Sequence, residues 1–211
     1  GGTHAQSMET YFSHIPGLKV AVPATPYDAK GLLKSAIRDD NYCIVTSHKL
    51  LYGSKGRKVA MNSALNIGVP EEAYLIPFGK ADIKRPGRDV TIVATLLMLH
   101  RAFDVADDLA RQGIEMEIID PRTLVPLDYE TIIESVKKTG RLVIAEEDTI
   151  SYGWGAEVAA RVAEEAIGYL DAPILRVATP DVPIPAAPSL ESAVIPGSEK
   201  IKQAVLKVLN Q

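Results

Sequence analysis

Apolar positions along the chain fall into two kinds of pattern, short continuous runs and stripes at helical spacing. Gly17-Leu18-Lys19-Val20-Ala21-Val22-Pro23 is a brief apolar run between a glycine and a proline, the form of a buried strand. After Asp28, the residues Ala29, Leu32, Leu33, Ala36 and Ile37 recur at helical spacing until Asp39-Asp40-Asn41 stops them. Tyr42-Cys43-Ile44-Val45-Thr46 predicts a second buried strand.

From Asp89 the alternation is regular. A strand over 89–95 precedes a helix whose face is Leu99, Ala102, Phe103, Ala106, Leu109 and Ala110, closed by Gly113. A strand over 114–119 precedes a helix over 129–138 closed by Gly140. A strand over 141–145, a helix over 156–166, a strand over 173–178 and a helix over 198–209 complete the series, the last with Ser198 as its expected cap. Strands alternating with helices make βαβ units, a mostly parallel sheet and helices on both faces. The stretch before residue 47 offers only two strands and one or two helices, too little for a complete sheet, and the chain opens on Gly1. A truncated chain is therefore expected.

Residues 47–78 break the alternation. Gly53, Ser54, Lys55, Gly56, Arg57 and Lys58 are polar, and Val69-Pro70-Glu71-Glu72 adds a second break, so a surface loop and interdomain linker is expected. The basic run from Lys55 to Lys58 is read as a solvated loop ahead of a phosphate contact. The chain thus divides into 1–46, a linker over 47–78, and a second unit over 79–211.

Composition narrows the function classes. The 211 residues carry 23 Lys+Arg and 27 Asp+Glu, a formal charge of −4, so a basic nucleic-acid footprint is absent. No apolar run approaches a bilayer-spanning length, so membrane insertion is not expected. Cys43 is the single cysteine, which excludes an internal disulfide and points to a reducing compartment.

The residues taken one at a time do not reach a reaction. Gly153-Trp154-Gly155 opens a helix after a strand but lacks the third glycine of a dinucleotide turn, so tight turning and close packing are the expected roles. Glu146 and Glu147 stand at a strand's carboxyl end, where α/β ligands bind, and serve equally well as solvated acids. His14 lies in a short apolar stretch, His48 in the loop and His100 on the expected polar side of its helix; like His4, each reads on pattern alone as structural.

Read as phrases, the residues carry a resemblance. Thr3-His4-Ala5-Gln6-Ser7, Pro16-Gly17-Leu18-Lys19-Val20 and the run Pro23-Ala24-Thr25-Pro26-Tyr27-Asp28-Ala29-Lys30-Gly31-Leu32-Leu33 begin it. Ala36-Ile37-Arg38-Asp39-Asp40-Asn41, His48-Lys49-Leu50-Leu51-Tyr52 and Ile76-Pro77-Phe78-Gly79-Lys80-Ala81 continue it in order. Asp120-Pro121-Arg122-Thr123-Leu124-Val125-Pro126-Leu127-Asp128, Tyr169-Leu170-Asp171-Ala172-Pro173 and Asp181-Val182-Pro183-Ile184-Pro185 close it. Together they resemble the beta subunit of the decarboxylating component of 2-oxo acid dehydrogenase complexes, which includes pyruvate, branched-chain and acetoin dehydrogenases.

The resemblance implies a transketolase-like α/β fold, here the C-terminal part of the pyrimidine-binding domain (1–46) and a complete C-terminal domain with a mostly parallel sheet (79–211). It implies oxidative decarboxylation of a 2-oxo acid, pyruvate ahead of the others, with acyl transfer to lipoyl groups. Acetoin dehydrogenase is the alternative. So is a non-catalytic dimerisation and docking module, whose exposed acids would include Glu191 and Glu199. Thiamin diphosphate and magnesium are implied as cofactors, held mainly by an alpha subunit. A second beta subunit and a lipoyl acyltransferase core are implied as further partners, in the cytoplasm or an organelle matrix.

His4 matches the active-site histidine of the family's His-Ser-Gln motif and Gln6 its glutamine, both as cofactor contacts; Ala5 replaces the usual serine. Ala36, Ile37, Asp39 and Asn41 match positions that hold a structural potassium ion in some members, at a helix end whose carbonyls and dipole suit a cation. Thr46-Ser47 departs from the family's usual Phe-Glu, and the glutamate that contacts the aminopyrimidine is expected upstream of Gly1. The chain by itself is therefore expected not to activate the cofactor.

Overall fold

The computed structural model describes residues 5–52 and 61–210. Its elements follow the expected alternation, with additions at the ends and turns. A short helix α1 (Glu9–Ser13) leads into strand β1 (Lys19–Ala21), helix α2 (Pro26–Ile37) and strand β2 (Cys43–Val45). The second unit opens with β3 (Asp82–Arg85), β4 (Val90–Ala94), α3 (Leu96–Ala110), β5 (Met116–Asp120) and β6 (Thr123–Val125). It continues through α4 (Tyr129–Thr139), β7 (Leu142–Thr149), α5 (Trp154–Ala166), β8 (Leu175–Thr179), α6 (Pro188–Val194) and α7 (Ser198–Leu209).

The larger sheet runs β3-β5-β4-β7-β8. β4, β5, β7 and β8 are parallel and only the edge strand β3 is antiparallel. Successive residues of its strands enter opposite cores, as a sheet buried on both faces requires. Ile92, Ile118 and Val143 meet α3 and α7, whereas Val93, Ile119 and Ile144 meet α4 and α5. The chain leaves β4 toward β5, then crosses back over β4 to β7, so the order reverses between β4 and β7. In such sheets the crevice at the strands' carboxyl ends, beside this reversal, is the habitual ligand position.

The smaller sheet runs β2-β1-β6. β1 and β2 are parallel, Lys19 opposite Cys43, while β6 comes from the second unit and pairs antiparallel to β1. Val20 and Val22 share a core with Val93 and Ile144. The two units are therefore joined by main-chain pairing and by a common apolar interior.

The structure corrects two local readings and refines a third. Ser198 is the first residue of α7 rather than its cap; Gly197 holds the cap position and no side chain caps the helix. His100 is buried within α3, not on a polar face. Segment 61–78 is mostly exposed, as expected of a surface loop, but carries a one-turn helix (Ser63–Leu65) and anchors itself by burying Leu65 and Ile76. The basic run Lys55 to Lys58 lies outside the described residues.

Candidate functional site

The carboxyl ends of β1 and β2 open onto one cavity of about 320 Å³. One wall is the turn after β1, with Pro23, Ala24 and Thr25. The other is the turn after β2, with Ser47, His48, Leu51 and Tyr52, and Met61 lines it from beyond. A mostly apolar lining with a few polar groups is the usual composition of a small-molecule pocket.

The first wall is rigid for local reasons. Thr25 caps α2, its Oγ1 accepting the Asp28 N–H at 3.1 Å, and Pro26 fills the first helical position, where no N–H is needed. Asp28, fully buried, takes Lys84 Nζ at 2.7 Å and Arg122 Nε at 2.8 Å from the second unit. His100 then reaches Ala24 from below. Its Nδ1 accepts the Asn62 N–H at 3.0 Å, so its Nε2 carries the proton and donates it to the Ala24 carbonyl at 2.8 Å. Burial pushes the His100 pKa down, which keeps the ring neutral.

The second wall is tied to the end of β7. Thr46 donates its N–H to the Ala21 carbonyl at 2.9 Å, extending the β1–β2 pairing by one residue. His48 Nδ1 accepts the Leu50 N–H at 3.2 Å, and His48 Nε2 lies 2.7 Å from Glu147 Oε2. Tyr52 Oη and Ser47 Oγ are 2.7 Å apart. Glu146, the neighbour of Glu147, is not a solvated acid. It is fully buried, accepts the Gly155 N–H at 2.9 Å and pairs with Arg176 at 2.7 Å. Burial raises its pKa, against the pull of that N–H and that guanidinium.

Gly153 and Gly155 have the packing role read from the sequence. A Cβ on Gly153 would meet the Thr149 carbonyl at 2.5 Å, and one on Gly155 would meet Glu146 Oε1 at 2.6 Å. The turn thus exists to seat Glu146 under α5, and it forms no phosphate cradle.

Of the residues expected to touch the cofactor, His4 lies outside the described residues and Gln6 is exposed just ahead of α1. Glu9, on α1, escaped the sequence reading. It is buried, and desolvation lifts its carboxyl to about 7, with Asp148 and Glu147 adding to the rise and His48 opposing it. The segment that follows His4 is therefore within electrostatic reach of the His48–Glu147 pair. The pattern signal was slight: a lone acid in a five-residue helix.

The four residues expected at a potassium ion sit together at the end of α2. Asp39 takes Lys19 Nζ at 2.5 Å and the Asn41 N–H at 2.9 Å, which hold its carboxyl at about 2. The Ala36 carbonyl accepts the Asp39 N–H at 3.3 Å. The Asp39 charge is thus already balanced by an ammonium, and a cation here would rest on main-chain oxygens. Among the described residues no group of three or more His, Cys, Asp or Glu side chains is placed to hold a metal. What the described residues do offer a cofactor is an apolar chamber at the strand ends and the exposed amide of Gln6.

Comparison with known proteins agrees with this fold. The transketolase C-terminal domain matches residues 79–201 and the transketolase pyrimidine-binding domain matches residues 1–55. The chain is similar to the beta subunit of acetoin:2,6-dichlorophenolindophenol oxidoreductase of Cupriavidus necator, 47% identical over 98% of this chain and 58% of that protein. It is 45% identical to the pyruvate dehydrogenase E1 component subunit beta of Rhizobium meliloti, over 97% of this chain and 42% of that one. It is 42% identical to the 2-oxoisovalerate dehydrogenase subunit beta of Bacillus subtilis, over 96% of this chain and 59% of that one. The chain thus spans about half the length of the curated relatives it matches. Among solved structures, a split-gene transketolase described as an inactive beta4 tetramer superposes with a TM-score of 0.75 over 96% of this chain and 61% of its own, at 24% identity. That likeness bears on the fold. A mostly parallel second sheet, a shared core with a strand-end chamber and two matching domain models lead to one assignment: the chain belongs to the transketolase family, through its pyrimidine-binding and C-terminal domains.

Proposed function

We propose that the chain is the pyrimidine-side end and C-terminal domain of the beta subunit of a thiamin diphosphate-dependent dehydrogenase that oxidatively decarboxylates a 2-oxo acid, pyruvate first, and passes the acyl group to lipoyl arms. The observation that carries it is the similarity to beta subunits at 42–47% identity across nearly all of this chain, while their named substrates differ. Acetoin is the second reading, favoured by the 47% identity to the acetoin-oxidising subunit. The chain divides into 1–46, 47–78 and 79–211, and its partners are an alpha subunit, a second beta subunit and a lipoyl acyltransferase core.

When bound, thiamin diphosphate supplies the nucleophile and the electron sink. The residues of this chain orient and move protons around it. His4 transfers a proton at an imidazole nitrogen to the reacting oxygen near neutral pH, and Gln6 orients its neighbours by its amide. The apolar chamber excludes water from the acyl carbon. A potassium ion on the main-chain oxygens of Ala36, Ile37, Asp39 and Asn41 would brace the end of α2.

The test pairs the full-length beta chain with its alpha subunit. Reduction of an artificial electron acceptor is followed with pyruvate, branched-chain 2-oxo acids and acetoin, with and without thiamin diphosphate and magnesium. Cofactor-dependent turnover of one substrate that collapses in His4→Ala supports the reading. Silence toward all of them in a cofactor-loaded assembly sinks it and leaves the docking module. Potassium is tested separately, as a rise in thermal midpoint with potassium over choline that is lost when the end of α2 is altered.

A further inference from the structure

The cavity wall formed by Ser47, His48, Leu51 and Tyr52 belongs to the segment that follows β2, yet it has a side-chain tie to the second unit. Nδ1 of His48 accepts a main-chain N–H, so the ring proton sits on Nε2 and points at Glu147, 2.7 Å away. Both nitrogens are satisfied, which leaves no lone pair facing the cavity. The pair is largely enclosed: the side chains are 19% and 10% exposed. Around it stand Glu9 from α1, Asp148 from β7 and Arg101 from α3, the last also interacting with Glu147. Glu147 itself occupies the carboxyl end of β7, beside the point where the strand order of the larger sheet reverses. His48 thus lies against the carboxyl end of β7.

We propose that His48 and Glu147 form a latch that holds the Ser47–Tyr52 wall over the carboxyl end of β7, so that His48 is a positioning residue for substrate bound in the chamber. The proposal rests on the reading of this chamber as part of the reaction site. It assigns His48 no contact with the reacting atoms. A bound 2-oxo acid or hydroxyketone meets a wall whose place is set by this one charge-assisted bond. Loosening it alters how well substrate is held and leaves the chemical step alone.

The test uses two independent readouts. In the assembled enzyme, Glu147→Ala and His48→Ala are expected to raise KM for the 2-oxo acid or acetoin about tenfold with kcat within about twofold, and Glu147→Gln, which keeps a hydrogen-bond acceptor, to recover most of the loss. A fall in kcat of about a hundredfold at unchanged KM would place His48 among the catalytic residues and overturn the latch. Unchanged KM and kcat in Glu147→Ala would overturn it as well. The second readout needs no turnover. Nitrogen NMR of the histidine ring in this chain is expected to show His48 protonated on Nε2 with a slowly exchanging proton, faster in the mild Glu147→Gln variant. A ring protonated on Nδ1, or an equally fast proton in wild type and variant, would refute the latch even if every assay were silent. Silence in wild-type turnover with the NMR signature intact would instead refute the reading of the reaction.

Discussion

Lys84 Nζ lies 2.7 Å from Asp28 Oδ2, and this contact fastens helix α2 of the first unit to the antiparallel edge strand of the second. Asp28 is fully buried and the Lys84 side chain is 6% exposed, so neither charge has water to fall back on. The same carboxylate takes Arg122 Nε on its other oxygen at 2.8 Å. Without Asp28, Lys84 and Arg122 keep only the partly exposed Asp82 at bonding distance. Asp28→Asn is therefore expected to cost about 3–5 kcal/mol. Urea unfolding monitored at Trp154 checks it; a loss below about 1 kcal/mol, the range of exposed pairs, would contradict it.

The same cluster holds a third carboxyl that behaves oppositely. Asp28, Asp82 and Asp120 face Lys84 and Arg122, three acids against two bases. Asp120 is the member farthest from a cation, 4.0 Å from Lys84 Nζ, and its Oδ2 is buried without a hydrogen-bond partner. Burial, with Asp28 close by, lifts it to about 7. Asp120→Asn keeps an oxygen for the Arg122 N–H, now accepted at 2.9 Å, and removes the surplus charge. At pH 8 it is expected to leave stability unchanged or raise it, which separates it from Asp28→Asn in the same unfolding assay.

Glu9 and Asp120 together set a pH dependence. Both carboxyls are lifted to about 7 in the folded chain, mainly by burial, from ordinary values of 4.5 and 3.8. The folded state thus binds these protons more tightly than the unfolded chain does. Their contribution is fully present below the ordinary carboxylate range and is lost as pH rises toward about 7. Denaturation midpoints measured from pH 4.5 to 8 are expected to fall less steeply in Glu9→Gln and in Asp120→Asn than in wild type. Identical slopes would show that neither group titrates in this window.

The elements that were plain in the sequence are those whose local signals agree. α4 has Asp128 as an N-cap, an apolar stripe and Gly140 in a left-handed C-cap at φ 69°, and its span matches the periodicity almost residue for residue. Two short strands of the second unit were not legible. β6 has three residues and exists because β1 offers it an edge; β3 exists because β5 does. Three or four residues are too few to show an alternation, and the partner strand is what makes them strands. His100 failed for a related reason. Its helix position reads as polar, but the turn after β1 lies against it and supplies a carbonyl. The chamber was illegible altogether, because its walls are non-local. Ala24, His48 and Met61 lie far apart in sequence, and their anchors, His100 and Glu147, stand in the other unit.

The glycines after β7 are replaceable only at a cost. A methyl group on Gly155 would sit 2.6 Å from Glu146 Oε1 and 2.8 Å from Ile144 Cγ2, both fully buried. The carboxylate would have to shift, weakening its bonds to the Gly155 N–H and to Arg176. Gly155→Ala is expected to destabilise by about 1–3 kcal/mol, the usual scale of overpacking. Gly168, with open space around it, is the control. Thermal unfolding of the two alanine variants distinguishes them, and equal midpoints would refute the close-packing role.

His100 carries the last prediction, because two buried main-chain groups depend on its ring. Its Nε2–H satisfies the Ala24 carbonyl at 2.8 Å and its Nδ1 the Asn62 N–H at 3.0 Å. A leucine fills the space and serves neither, so His100→Leu is expected to cost about 1–3 kcal/mol for each group left unpaired. Acid acts on the second of these bonds. Burial lowers the pKa of the ring below the ordinary 6.5, so this contribution is present above that value and is lost as pH falls through it and below. A proton on Nδ1 would face the Asn62 N–H, donor against donor, and break that bond, while the Nε2–H still serves the Ala24 carbonyl. Hydrogen exchange at the Asn62 amide reads this directly. It is expected to accelerate in His100→Leu at pH 7.5, and in wild type to exceed the intrinsic pH trend once the ring charges. An Asn62 amide equally protected in wild type and variant would show that His100 only fills space.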